Sequence, residues 1–136
     1  MNFDSARIAV YDALSAGWGS HSTVTIFREG TPLPDLSTRT TPFILVSVRS
    51  RRSKQMGMVN GANKPRRVQG VAEFYIYTPE VSSPITRNGC LETLDNLFTA
   101  KTISSIVFGE SVTPSPVTAV GWTSQGFLCS FYFDKL

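Results

Sequence analysis

A chain of 136 residues supports one domain that buries roughly two thirds of its unfolded surface, and is too short to suggest a second. Its formal charge is only +3, yet eight of the 13 Lys and Arg fall between Leu36 and Ala72, where no Asp or Glu occurs. Elsewhere five cations face ten carboxylates, which argues against a generally basic protein and for a local positive segment suited to a polyanion or an acidic partner surface.

No window approaches eighteen apolar residues, and the N-terminus lacks a basic flank before an apolar run. The chain is therefore expected to be soluble and made in the cytoplasm. Cys90 and Cys129 are far apart, outside any CxxC, and embedded in apolar patterns. They are expected as buried free thiols.

In chain order, Phe3, Ala6, Val10, Ala13, Leu14 and Gly17 recur at steps of three and four, which predicts a helix from about Phe3 to Ala16 behind an Asn2 N-cap. Gly17-Trp18-Gly19-Ser20 stops it. Val24 to Arg28 then reads as a short strand turning at Glu29-Gly30. After a loop bracketed by Pro32, Pro34 and Pro42, Phe43 to Val48 is a nearly continuous apolar strand, expected to be covered on both faces.

Arg49 to Gly70 carries Arg49, Arg51, Arg52, Lys54, Lys64, Arg66 and Arg67 among Gly57, Gly61, Pro65 and Gly70. With no period of its own it is expected as a long, poorly ordered basic loop closing an antiparallel hairpin. In the returning strand, Ala72, Phe74 and Ile76 take one face and Glu73, Tyr75 and Tyr77 the other. A second helix is predicted from about Arg87 to Ala100, with Cys90, Leu91, Leu94, Leu97 and Phe98 inward. Short strands at 106–108 and 117–122 precede a last strand in which Phe127, Cys129, Phe131 and Phe133 share a face. The fold class that follows is α+β: a two-layer α/β sandwich of two helices over a mostly antiparallel sheet, with a long basic hairpin loop, all in a single domain over 1–136.

Catalytic chemistry finds little support. His21, the single histidine, sits in a Gly/Ser turn and is expected to be solvated, with no partners at triad or metal-ligand spacing. The carboxylates are scattered on polar faces. Gly57 to Lys64 fails the phosphate-loop pattern, which needs four residues between its glycines and then Lys and Ser or Thr. No catalytic residue, cofactor or metal is assigned. Tyr75, Tyr77, Phe127 and Phe131 could form a base-stacking platform, but core or subunit-interface aromatics are the expected reading, since the helices must cover one sheet face.

The order of elements resembles a known family. The helix ending at Leu14-Ser15-Ala16, the strand-turn Thr25 to Gly30, the proline-led strand Pro42 to Val48, the long loop, the strand Gln69 to Pro79, the second helix and the final strand are together similar to tail terminator proteins of long-tailed bacteriophages, the minor tail protein U-like family. The resemblance spans essentially the whole chain and rests on element order and apolar pattern, with no diagnostic motif. It implies a non-enzymatic virion protein: a homohexameric ring that caps the tail tube, ends its polymerisation and offers a surface for head-tail joining. Its implied partners are other copies of itself, the tail tube protein and the head-tail connector protein, with no membrane. Within it, Glu73, Tyr75 and Tyr77 are the expected subunit interface. The basic loop is expected to face the lumen or the tube-side rim, in non-specific contact with passing DNA or acidic tube subunits. A different connector or neck ring protein, or a nucleic-acid-binding module built on 49–70, are the alternatives.

Overall fold

The computed structural model describes residues 1–21, 23–32, 34–55 and 66–135. The first helix, α1 (Phe3–Gly17), starts where Asn2 Oδ1 accepts from Ser5 N at 2.8 Å, with Asp4 in the first turn opposing the helix dipole. It buries Ala6, Val10, Tyr11 and Leu14. Trp18 ends it and is itself buried, donating Nε1 to Val24 O at 3.0 Å, so the chain is turned directly into the first strand. The second helix, α2 (Pro84–Phe98), is capped by the Ser83 hydroxyl, has Pro at its start and buries Cys90, Leu94 and Phe98 at four-residue steps.

Among the described residues seven strands form one mixed sheet: β1 (Thr25–Arg28), β2 (Phe43–Gln55), β3 (Arg66–Pro79), β4 (Thr102–Ile103), β5 (Ile106–Val112), β6 (Val117–Ala119) and β7 (Trp122–Lys135). The order is β1-β2-β3-β7-β5-β4, with β6 on the start of β7. All pairs are antiparallel except β1 with β2. This is the α+β architecture expected, with the parallel pair as an unforeseen feature. Both helices cover one sheet face, where Val46, Val48, Ala72, Phe74, Ile76, Phe127, Cys129, Phe131 and Phe133 meet Val10, Leu14, Leu94 and Phe98 in a continuous core. The Phe74, Phe98 and Phe108 rings lie 4.9 to 5.3 Å apart along it, a spacing at which tilted aromatic pairs attract.

Two glycines allow close approaches that set this geometry. A Cβ on Gly17 would lie 2.5 Å from Leu97 Cδ2, so the helices touch where α1 ends. A Cβ on Gly70 would lie 2.5 Å from Phe131 Cζ and 2.6 Å from Arg49 O, so the ring of Phe131 is seated against the β3 backbone.

The largest departure from the sequence expectation is the hairpin. Residues 49–55 and 66–70 are strand rather than loop: β2 and β3 stay paired out to Gln55 with Arg66, and β7 accompanies β3 as far as Lys135. Pairing on both sides of β3 gives the polar, charged stretch a backbone hydrogen-bond ladder that a two-strand reading of its composition does not anticipate. Residues 56–65, which include Lys64, lie outside the described residues. The second helix also begins at Pro84 rather than Arg87, and the strand expected at 117–122 is split by a turn at Val120-Gly121.

Candidate interaction surface

The helix-free face of the sheet gathers most of the residues singled out by sequence. Alternation along β3 puts Arg67, Gln69, Val71, Glu73, Tyr75 and Tyr77 on one side, opposite the core positions. Arg49 and Arg67 of the basic set thus share a face with Glu73, Tyr75 and Tyr77, whereas Arg66 falls on the other side of β3.

Its cations are not equivalent. Arg67 presents its fork to Asp134, with Nε and Nη2 at 2.9 and 3.1 Å from the two carboxylate oxygens, and its guanidinium lies 3.9 Å over the Tyr132 ring. Bidentate pairing and stacking fix its direction. The hydrogen bond from Arg67 holds the Asp134 carboxyl below the usual carboxylate range. Arg49 lies 3.4 Å from Glu73, a looser pair in which the cation is exposed and the carboxylate largely covered. Arg51 is the extra residue of a bulge, between the pairs Ser50 with Gly70 and Arg52 with Gln69. It borders a groove of about 280 Å³ with Gln69, Val107, Ser130 and Tyr132. Arg51 and Arg66 are exposed and have no acidic partner among the described residues. Arg52 and Lys54 stand on β2 in register with Gln69 and Arg67. Six of the seven cations expected in a loop therefore stand on strands, two of them beside carboxylates, and Lys64 lies outside the described residues.

At the other end of this face, Tyr77 stacks on the buried Phe43 with ring centroids 4.7 Å apart and planes 7° apart. Trp122 is 5.5 Å from Phe43 and donates Nε1 to Leu36 O at 3.1 Å, while Arg39 lies over Phe27 and Phe43. The segment before β2 thus covers the second face of its apolar start. Tyr77 has internal packing; Tyr75 is half-buried, and burial pushes its hydroxyl pKa up.

His21 is half-buried rather than solvated: its Nε2 is 2.7 Å from Thr93 Oγ1 and its ring 4.9 Å from Trp18, so it ties the turn after α1 to α2. Cys90 and Cys129 are free and buried, as expected, and burial pushes both thiols to about 11, leaving them protonated at neutral pH. No group of three or more His, Cys, Asp or Glu is placed to hold a metal among the described residues, and no described helix is long and apolar enough to cross a membrane.

Sequence reasoning missed a second kind of surface. Val81, Val120, Ile85 and Val117 are 97%, 90%, 77% and 61% exposed. Val120 also has φ of 53° and Gly121 78°, so the β6–β7 turn has both central residues in the left-handed region. A Val-Gly pair where Asn-Gly is the usual choice was a legible signal.

No family model and no curated protein matches the sequence. Among solved structures, one superposes with a TM-score of 0.70 over 97% of this chain and 95% of its own, at 12% identity. At that identity the likeness concerns the fold alone.

Proposed function

We propose that the protein is a structural, ring-forming component of a bacteriophage tail, a tail terminator that caps the tube, ends its polymerisation and presents a surface for head-tail joining. The reading starts from the resemblance in element order over the whole chain. The observation that carries it furthest is the uneven covering of the sheet. Both helices lie on one face, the opposite face bears the Arg49 to Tyr77 surface, and the sheet ends in the short strands β1 and β4. Open edges and uncovered apolar side chains are the material of side-to-side contacts between copies. Glu73, Tyr75 and the basic strand ends are then candidates for contact with neighbouring copies, tube subunits or passing DNA.

The test is light scattering on size-separated protein, alone at rising concentration and with assembled tail tubes, backed by negative-stain imaging. A discrete hexameric ring, free or on the tube end, is the expected result. A chain that stays monomeric in both settings would overturn the reading. A nucleic-acid-binding module is the second reading, favoured by the unpaired cations Arg51 and Arg66. It predicts binding of duplex DNA by a monomer.

A further inference from the structure

We infer that the groove at Arg51 is a socket for one carboxylate of a partner protein, carried on a segment with an apolar side chain beside it. This goes beyond the ring reading, since a free subunit would bind such a segment too.

The groove exists because the sheet is interrupted on both sides of one residue pair. Gly70 of β3 stands opposite Phe131 of β7. On the β2 side the register slips at Arg51, between Ser50 with Gly70 and Arg52 with Gln69. On the β5 side it slips over Gly109 and Glu110, between Phe108 with Phe131 and Ser111 with Cys129, so that only Ser130 lies opposite them. A bulge bends its strand and re-aims a side chain. Two bulges abutting the same pair leave a hollow across four strands, with Arg51 at one flank and Gly109 at the other. Val107 and Tyr132, a register pair, are half-buried and supply apolar and aromatic area; Ser130 adds an exposed hydroxyl, and Arg51 is the only charge among the described lining residues.

Arg51 is committed to no carboxylate of its own chain. All ten Asp and Glu belong to the described residues, and none forms an ion pair with it. Its neighbours differ: Arg67 gives both arms of its fork to Asp134 and lies over Tyr132, and Arg49 stands beside Glu73. An exposed guanidinium matches a carboxylate through two parallel hydrogen bonds, and the apolar area beside it favours a ligand that is not charged throughout. A nucleic acid fits less well. In this band of the sheet Arg49, Arg51 and Arg67 stand against Glu73, Glu110 and Asp134, so a polyanion gains net attraction only from Arg52 and Lys54 of β2. The hollow, about 280 Å³, lies at the low end of the range for ligand sites of about 300–1,000 Å³, which suits one or two side chains of an extended segment.

The test is an amide NMR titration of the isotope-labelled chain. The probe is a capped peptide with one glutamate between two leucines; the controls are its glutamine counterpart and a short DNA duplex. The glutamate peptide should shift the amides of Gly109, Ser130 and Tyr132 saturably, and the glutamine peptide should not. Arg51→Gln should weaken binding by about tenfold or more, the scale of a lost charge-assisted hydrogen bond. Gly109→Ile should weaken it as well while leaving every charge in place; a Cβ there has Ser130 O as its nearest neighbour, at 3.7 Å, so the added bulk is tolerated. Both positions are exposed, and an unchanged thermal unfolding midpoint verifies that each variant folds. No saturable shift, equal shifts from the two peptides, or wild-type binding by either variant would overturn the inference. A duplex that moves the same amides at lower concentration than the peptide would give the groove to nucleic acid and overturn it too. A chain that binds the glutamate peptide yet stays monomeric alone and on tail tubes would lose the ring reading and keep this one.

Discussion

Single cations of the long strands show how geometry, more than composition, sets charge. Arg67 and Arg49 have acidic partners; Arg51 and Arg66 have none among the described residues. Asp134 titrates below its ordinary value of 3.8 because Arg67 donates to its carboxylate. A carboxylate whose folded pKa is depressed contributes stability that is present above its unfolded pKa and lost as pH falls through the folded value. The Asp134–Arg67 contribution should therefore be intact at pH 5 and vanish below 3.8 as Asp134 protonates. Thermal unfolding of Asp134→Asn against the wild type checks this: the gap in midpoint should be open at pH 5 and closed by about pH 2. Asp134 is exposed and Arg67 half-buried, so solvent screens the pair and the gap is small.

At the scale of elements, β2, β3 and β7 are paired along almost their whole length, and their packing hinges on one absent side chain. Gly70 lets Phe131 lie against β3 beside Arg49 O. A Cβ there would meet a backbone oxygen at 2.6 Å as well as the ring, and a paired backbone cannot yield as a side chain can. Gly70→Ala should cost about 1–3 kcal/mol of stability in urea unfolding. Gly17→Ala is the control: its Cβ meets only the flexible end of Leu97, so its smaller loss is partly offset by the better helix propensity of alanine. An equal loss for both would mean that the seat of Phe131 has no special role.

For the molecule as a whole, two surfaces differ in the forces they can use. The basic end of the long strands carries the exposed cations Arg51 and Arg66, while the turns at Val81 and Val120 expose apolar side chains. Replacing Arg51 and Arg66 together by Ser should weaken binding to tail tubes or duplex DNA at low salt and flatten the dependence of log K on log salt. Replacing Arg49 and Arg67 should do less, because Glu73 and Asp134 already match their charge. Titrations at two salt concentrations, one on either side of a Debye length of about 10 Å, decide between these outcomes. Equal effects of the two double variants would return the surface to a diffuse, unstructured patch of charge.

The sequence by itself determined the elements whose signal is periodic. The α1 stripe of Ala6, Val10 and Leu14, the alternation of Ala72, Phe74 and Ile76 against Glu73, Tyr75 and Tyr77, and the face shared by Phe127, Cys129, Phe131 and Phe133 all survive folding, because burial of one face is what each pattern encodes. From these the α+β class and the buried thiols followed. Tertiary structure alone decided the rest. Arg49 to Gln55 and Arg66 to Gly70 look like loop because their own residues favour none, yet they are strands because β3 is paired on both sides and β7 runs alongside it. The partners of Arg67 and His21, 67 and 72 positions away, are likewise invisible locally. Pairing between distant segments adds backbone hydrogen bonds that no local propensity contains, and it turns a run of like charges into an ordered surface.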